Sequence, residues 1–316
     1  MSMRAVIEAL DLLDSATVSG EQVADSLRAE GIQQVEVKRF TGERGSTDFI
    51  RVTIPGTRGR LTGGEAPTLG IIGRLGGIGA RPEKIGIVSD GDGAVTAVAC
   101  ALKLGRMARK GDRLPGDVLL ATHICPRAPT IAHPVVTMMN SPVDMATLNR
   151  EEVRPEMEAI LSIDTTRGNR VINQRGIAIS PTVKAGWILR VSEDLLTLMQ
   201  HVTGRVPAVF PLTMQDITPY GNGLFHLNSI LQPATATEVP VVGVALTAEV
   251  PVPGSATGAS QPADIELAVR FCLEVAKAFG KGECRFYDPG EWEVIQRRYG
   301  PMTVLQTLGR TVADTS

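Results

Sequence analysis

Short apolar runs alternate along this chain with longer segments of helical periodicity, and this alternation restricts its fold more than any other feature. The apolar runs at 69–72, 118–121 and 239–246 are typical of buried strands. Amphipathic patterns at 94–110 and 262–279 predict helices. Strands that are separated by helices form parallel sheets, so the sequence predicts an α/β fold with a mostly parallel central sheet.

The same patterns place further elements. Ser19 is expected to cap a short helix near the start of the chain. Strands are predicted at 85–88 and 206–210, and a helix at 154–161, whereas 137–150 has the composition of an irregular connection.

Charge and cysteine content exclude several classes of protein. The chain has 316 residues with 32 Lys and Arg against 34 Asp and Glu, which gives no basic surface for nucleic acid or an anionic membrane. Its four cysteines show no CxxC spacing, so a disulfide scaffold is not expected. No apolar stretch is long enough to span a membrane, and Glu8 and Asp11 interrupt the first apolar segment. We therefore expect a cytoplasmic protein.

A glycine-rich segment follows the first buried run. Gly73, Gly76, Gly77 and Gly79 are spaced somewhat like a dinucleotide-binding loop, which requires a helix to begin directly after the glycines. Pro82 and the following apolar run leave no room for such a helix. We interpret the segment as a structural loop at a strand end.

Acidic and histidine side chains follow predicted strands. Asp90 and Asp92 stand in a turn before a helix, His123 ends the strand at 118–121, and Asp164 ends another apolar run. Because the carboxyl ends of parallel strands meet at one edge of a sheet, these side chains are expected to converge there. The alternative for Asp90 and Asp92 is a simple helix cap, which favours the same residue types.

Cysteine chemistry is a further option at this edge. His123 and Cys125 are two residues apart, so on an extended strand they point to the same face. They could form a thiolate–imidazole pair, or a soft metal site with Asp90 and Asp164. The alternative is that Cys125 is a buried, unreactive thiol.

Several segments in a fixed order carry a resemblance to known proteins: TLGIIG at 68–73, SDG at 89–91, LLAT at 119–122, SID at 162–164, the strand at 240–246 and PADI at 262–265. They resemble the co-catalytic-zinc aminopeptidases and carboxypeptidases. Over nearly the whole chain, the sequence is similar to a bacterial family of unknown function (domain of unknown function 1177), a divergent relative of those enzymes. The resemblance implies a zinc-peptidase-like (phosphorylase/hydrolase-like) three-layer sandwich with helices on both faces of the sheet. It implies one α/β domain at 1–283 and a C-terminal appendage at 284–316.

The zinc ligands of those peptidases are largely replaced. Arg74 and Gly76 stand where the first ligand pair is expected, Cys125 and Pro126 replace a pair of glutamates, and Gly254 lies where a histidine is expected. Of the zinc ligands that the resemblance implies, only two carboxylates are present: Asp90 in the bridging position and Asp164 in a terminal position. Two carboxylates without an aligned histidine do not hold a di-zinc centre.

The remaining candidates are assigned roles from residue chemistry and from the resemblance. Asp92, His123 and Cys125 are predicted catalytic residues, and Asp90, His123 and Asp164 are predicted ligands of a divalent metal such as zinc, if one binds. Arg74 and Arg127 can anchor an anionic substrate group or, for Arg74, pair with Asp90 or Asp164. By the resemblance, Asp216 lies in a loop that contacts substrate. His133 is interpreted as a loop histidine and His226 as a structural one.

Two functions remain open. The first is a divergent hydrolase for a small amide, peptide or amino-acid derivative. The second is a non-catalytic relative that acts as a ligand-binding or assembly protein. The segment at 56–67 is too short for the inserted domain through which such peptidases associate, so other surfaces would form the homo-oligomer that we predict.

Overall fold

The structure is a computed structural model that describes residues 2–74, 77–132 and 137–306. The helices are α1 (Ser2–Leu13), α2 (Gly20–Ala29), α3 (Asp92–Arg109), α4 (Met145–Glu152), α5 (Glu193–Thr203), α6 (Pro262–Lys281) and α7 (Pro289–Tyr299). The strands are β1 (Gln34–Gly42), β2 (Gly45–Ile54), β3 (Leu69–Gly73), β4 (Val118–Ile124), β5 (Thr130–Ile131), β6 (Met138–Met139), β7 (Ala159–Thr166), β8 (Gly176–Ile179), β9 (Val183–Lys184), β10 (Trp187–Ile188) and β11 (Val241–Thr247). In these ranges, no helix combines the length and the apolar character needed to cross a membrane.

One large sheet organises the described part of the chain. Its strand order is β1-β2-β4-β3-β7-β11-β9-β10, and β8 also pairs with β11. The four central strands β4, β3, β7 and β11 run parallel. Antiparallel strands extend the sheet at both edges. The predicted α/β fold with a mostly parallel central sheet is therefore confirmed.

Both faces of the sheet are covered, but by different kinds of element. Helices α1, α3, α5 and α6 pack with one face, where Ile71 and Leu161 of the central strands belong to the larger hydrophobic core. On the opposite face, Ile72 and Ile160 belong to a smaller core that a 3-10 helix, Ser229–Thr235, covers. Helix α4 contacts that 3-10 helix and β2. The second layer consists of short elements, which leaves room for a cavity.

The first turn of α3 lies against the ends of two parallel strands. A side chain at Gly93 would place its Cβ 2.6 Å from the Arg74 carbonyl oxygen and 2.8 Å from that of Ile163. At Gly73 a Cβ would lie 2.4 Å from the carbonyl oxygen of Gly93. Such distances leave no space for any side chain. These glycines therefore serve close packing, in agreement with the structural interpretation of the glycine-rich segment, of which 75–76 lie outside the described residues.

The strand predicted at 85–88 is not formed. Gly86 has a φ of +89°, which interrupts an extended conformation, and the Ile85 side chain is largely exposed. Only Val88 makes an isolated bridge, with Thr257. The apolar run therefore begins at the surface with Ile85 and becomes buried at Val88 before it reaches Asp90.

The other differences concern helix position and an isolated apolar run. The segment predicted as a connection contains α4, which begins where the Asp144 side chain accepts a hydrogen bond from the Thr147 N–H. The helix predicted at 154–161 is absent, because Pro155 disfavours a helical Arg154. The run at 206–210 forms only a bridge between Val209 and Ile179.

The C-terminal segment packs on the rest of the chain. Phe286 belongs to the larger core, and the Met302 N–H donates to the Ala185 carbonyl at 3.2 Å. Further along, Gln306 Nε2 donates to the Ala234 carbonyl at 3.1 Å and to that of Thr237 at 2.5 Å. The boundary at residue 284 stays a prediction.

Ile71 gives a direct test of the central sheet. It is fully buried on β3, so Ile71→Ala should lower the free energy of unfolding by about 2–5 kcal/mol, because the cavity closes only partly. Ile7→Ala is the matched control, since Ile7 is 43% exposed on α1. Urea denaturation checks both values. Similar losses in the two variants would contradict the placement of β3 at the centre of the core.

Candidate functional site

A cavity of about 810 Å³ opens at the carboxyl ends of the central strands. Three of the predicted site residues line it: Arg74 after β3, Asp90 before α3 and Asp164 at the end of β7. The wall also includes apolar side chains such as Met145 and Leu227. This is the edge at which ligands bind in parallel α/β sheets. Of the four side chains predicted to converge there, Asp90 and Asp164 line the cavity, whereas Asp92 and His123 do not.

Two carboxylates of the cavity, Asp90 and Asp164, have different environments. Asp164 is 8% exposed, and its Oδ1 accepts the Thr165 N–H at 2.7 Å. Burial raises the pKa of Asp164 well above its ordinary value, and the negative charge of Asp90 adds to this effect. The Asp90 backbone N–H donates to the Gly254 carbonyl at 2.9 Å, which fixes the turn. The geometry therefore favours a neutral Asp164 carboxyl near the more exposed Asp90.

Arg74 is committed to a carboxylate other than the predicted ones. Its guanidinium forms an ion pair with Glu152 of α4, and both side chains are almost fully buried. A second contact joins Arg74 Nη2 to the Met145 sulfur at 2.6 Å. The expected ion pair with Asp90 or Asp164 is not formed, because α4 supplies a buried carboxylate that the sequence pattern did not place there. The positive charge of Arg74 still opposes the rise in the Asp164 pKa.

Asp92 lies behind the cavity rather than in its wall. It is fully buried and forms an ion pair with Arg167, whose side chain is 3% exposed. Burial raises the pKa of Asp92 to about 7, against the opposing effects of the Arg167 charge and the Ser260 hydroxyl. Arg167 itself lines the cavity. Asp92 thus positions Arg167, while its predicted catalytic role stays a prediction.

Sequence reasoning missed Arg167 and Glu152. Arg167 directly follows β7, three residues after Asp164. Its position at the carboxyl end of a parallel strand is the sequence signal that would have predicted it. Glu152 gave no such signal, because its role depends on the fold of α4 against β2.

His123 is buried among other elements of the sheet. Its Nδ1 forms a hydrogen bond of 2.7 Å with Thr47 Oγ1, and its ring stacks on Phe49 with the centroids 5.5 Å apart. The side chain is fully buried and does not line the cavity. His123 is therefore not brought together with Asp90 and Asp164.

Cys125 has the properties of a buried thiol. Its Sγ donates to the Ser46 carbonyl at 3.5 Å, and it does not line the cavity. Burial raises the pKa of Cys125 to about 11, so the thiolate is disfavoured at neutral pH. This environment is that of a buried, unreactive thiol. It gives no support to a thiolate–imidazole pair with His123.

Neither remaining substrate-binding candidate lines the cavity. Arg127 is exposed at the surface. Asp216 is fully buried, and its two oxygens accept the backbone N–H groups of Thr213, Leu227 and Asn228, each at 2.9 Å. Asp216 therefore shapes the loop that carries Leu227 and Asn228 into the wall, instead of facing a ligand.

His226 has contacts within its own loop. His226 stacks on Tyr220 with ring centroids 4.4 Å apart, and its Nε2 lies 3.0 Å from Thr218 Oγ1, which is typical of a structural histidine. His133 and Gly76 lie outside the described residues.

The donor set of the cavity does not fit zinc. Within residues 2–74, 77–132 and 137–306, no group of three or more His, Cys, Asp or Glu side chains is arranged to hold a metal ion. Zinc sites need nitrogen or sulfur ligands in a tetrahedral set, whereas the charged side chains of this wall are the carboxylates of Asp90, Asp144 and Asp164 and the guanidinium groups of Arg44, Arg74 and Arg167. The metal assignment of Asp90, His123 and Asp164 stays a prediction without a matching geometry.

Known proteins share this fold. The sequence profile described as Protein of unknown function (DUF1177) matches residues 38–309. Among solved structures, a glutaminyl cyclase from an Acidobacteriales bacterium is 13% identical, with 89% of this chain and 94% of that chain covered and a TM-score of 0.54. The cytosol aminopeptidase from Coxiella burnetii is 14% identical, with 88% and 68% covered and a TM-score of 0.49. No curated protein matches by sequence. The first of these structures supports the predicted peptidase-like fold.

The raised pKa of Asp164 predicts a pH dependence of stability. The folded state binds this proton more tightly than the unfolded chain, whose Asp pKa is about 3.9. The stabilisation is fully present below that value and is lost as the pH rises through the folded pKa. Asp164→Asn should therefore flatten the decline in the free energy of unfolding above about pH 4. Urea denaturation over a pH series measures this, and the exposed Asp11→Asn should keep the wild-type slope.

Chelation tests the metal assignment. Because the donor set does not fit zinc, dialysis against EDTA should leave the Tm and near-UV circular dichroism of the purified protein unchanged. Mass spectrometry of the metal content should find no stoichiometric transition metal. Stoichiometric zinc, with a Tm that falls on its removal, would contradict this reading of the cavity.

Proposed function

The chain belongs to the DUF1177 family, and we propose that it is a divergent hydrolase that acts on a small amide, peptide or amino-acid derivative without a di-zinc centre. The peptidase-like fold and the cavity at the carboxyl ends of its parallel strands support this function. The solved relatives named above are a glutaminyl cyclase and an aminopeptidase, and a related amide chemistry is part of the proposal for this chain.

The pair of Asp90 and Asp164 carries the proposal. Two carboxyl groups that line one cavity can act as a general base and a general acid when burial favours the neutral form of one of them. Asp90 is the more exposed group and suits the ionised base. Asp164 is buried and has a raised pKa, which suits the acid.

These roles give a balanced reaction. Asp90 accepts a proton from water while the water oxygen bonds to the carbonyl carbon of the amide. Asp164 donates its proton to the nitrogen as the C–N bond breaks. Proton return from Asp90 to Asp164 restores the starting state. Arg167, held by Asp92, places positive charge on the wall, where it can stabilise the developing negative charge on oxygen.

A second candidate function is ligand binding without catalysis. Two arginines of the wall, Arg74 and Arg167, are held by buried carboxylates, so this part of the cavity keeps its shape and charge without any reaction. The predicted homo-oligomer and the assembly role are compatible with either function and remain proposals.

Turnover of amide substrates separates the two functions. The wild-type protein should hydrolyse a subset of aminoacyl or peptidyl 4-nitroanilides in the presence of EDTA. Asp90→Asn and Asp164→Asn should each lower kcat by at least about 100-fold, since each removes one side of the proton transfer. Asp11→Asn is the matched control and should retain full activity.

Two other results would contradict the hydrolase or the role of one of its residues. Binding of the same amides without turnover would identify a ligand-binding protein. Activity that survives Asp164→Asn would overturn its role as the acid.

A further inference from the structure

The floor of the cavity, formed by α4 and the 3-10 helix Ser229–Thr235, contains a network of buried amide and hydroxyl groups. Asn149 and Asn228 are each 2% exposed, and Gln232 is fully buried. All three line the cavity together with Thr235. None of these residues has a role in the acid–base chemistry proposed above.

Hydrogen bonds fix the orientation of the Asn149 amide. The Thr235 hydroxyl donates its single proton to the Gln232 carbonyl at 2.8 Å. It must therefore act as the acceptor in its 3.2 Å contact with Asn149 Nδ2. This assigns the nitrogen of Asn149 to Thr235 and leaves the oxygen, Oδ1, as a buried acceptor without a partner among the described residues.

The Asn228 amide is fixed in the same way. Its Nδ2 lies 3.2 Å from both the Pro211 carbonyl oxygen and Asp216 Oδ2. A backbone carbonyl can only accept, so the contact with Pro211 requires the nitrogen of Asn228 on this side. Within the described ranges, Asn228 Oδ1 is therefore a second buried acceptor without a partner.

Two oriented acceptors in one cavity wall point to a ligand that donates hydrogen bonds. A buried polar atom without a partner costs free energy, and a ligand that supplies the missing proton recovers it. We propose that this floor binds a neutral carboxamide group of the ligand, whose N–H bonds reach Asn149 Oδ1 and Asn228 Oδ1. The inference rests on the proposed function only in taking the same cavity as the ligand site.

Charge favours a neutral group over a cation. The Glu152 carboxylate next to the floor is neutralised by Arg74, and the Asp216 oxygens accept several hydrogen bonds. The two carboxylates next to the floor thus offer an ammonium group no unpaired negative charge in exchange for its water. A carboxylate would meet oxygen acceptors and be repelled.

Three probes with the same three-carbon chain test the proposal: propionamide, propylammonium and propionate. Ligand-observed NMR titrations should give propionamide an affinity about three- to tenfold above that of the other two, the factor expected from one or two hydrogen bonds. Asn149→Asp, which adds a negative charge to the floor, should reverse the preference toward propylammonium. Asn140→Asp adds the same charge elsewhere in the cavity wall, at a side chain whose Oδ1 already accepts the Ser141 N–H, and should leave propionamide preferred.

The outcomes are distinct. Equal or absent binding of the three probes to the wild-type protein would overturn the proposal, and so would the same reversal in Asn140→Asp. The wild-type comparison stands even if Asn149→Asp does not fold, which near-UV circular dichroism would reveal. Propionamide selectivity without any amide turnover would support the floor while contradicting the hydrolase. Turnover without that selectivity would support the hydrolase and contradict the carboxamide site at the floor.

Discussion

The close approach of α3 to the ends of β3 and β7 is the constraint on which the site depends. Because the first turn of the helix touches the carbonyl oxygens of Arg74 and Ile163, Gly93 has no space for a side chain. This contact brings the turn with Asp90 next to the end of β7, which carries Asp164. A displaced helix would move Asp90 away from Asp164. The raised pKa of Asp164 would then keep the effect of burial but lose the contribution of the negative charge of Asp90.

Two buried ion pairs then determine the character of the cavity. Arg74 with Glu152 and Arg167 with Asp92 each join elements that are distant in sequence. Buried pairs recover their cost of desolvation only in good geometry, so they specify how α4 and the end of β7 are placed. The wall consequently carries permanent positive charge next to carboxylates, an arrangement suited to polar organic ligands.

The sequence predicts the central sheet and a cluster of side chains at one of its edges, of which Asp90 and Asp164 line the cavity, because apolar runs identify parallel strands whose ends share an edge. It does not predict the environment of His123. A two-residue spacing shows that His123 and Cys125 share a face, but not whether that face meets the cavity. The partner of Arg74 is equally inaccessible, since Glu152 becomes a neighbour only through the position of α4. The local sequence pattern therefore predicts where strands end, but the partners of a side chain depend on how the helices and strands pack.

The C-terminal segment has a consequence for how the protein can be handled. Gln306 bonds to the carbonyl oxygens of Ala234 and Thr237, at the end of the 3-10 helix that also carries Gln232 and Thr235. Gln306 is thus hydrogen-bonded to the end of the 3-10 helix that contributes Gln232 and Thr235 to the floor of the cavity. A proteolytic cut before residue 306 would therefore remove hydrogen bonds from the end of a helix that lines the cavity, although the cut lies far from that helix along the sequence.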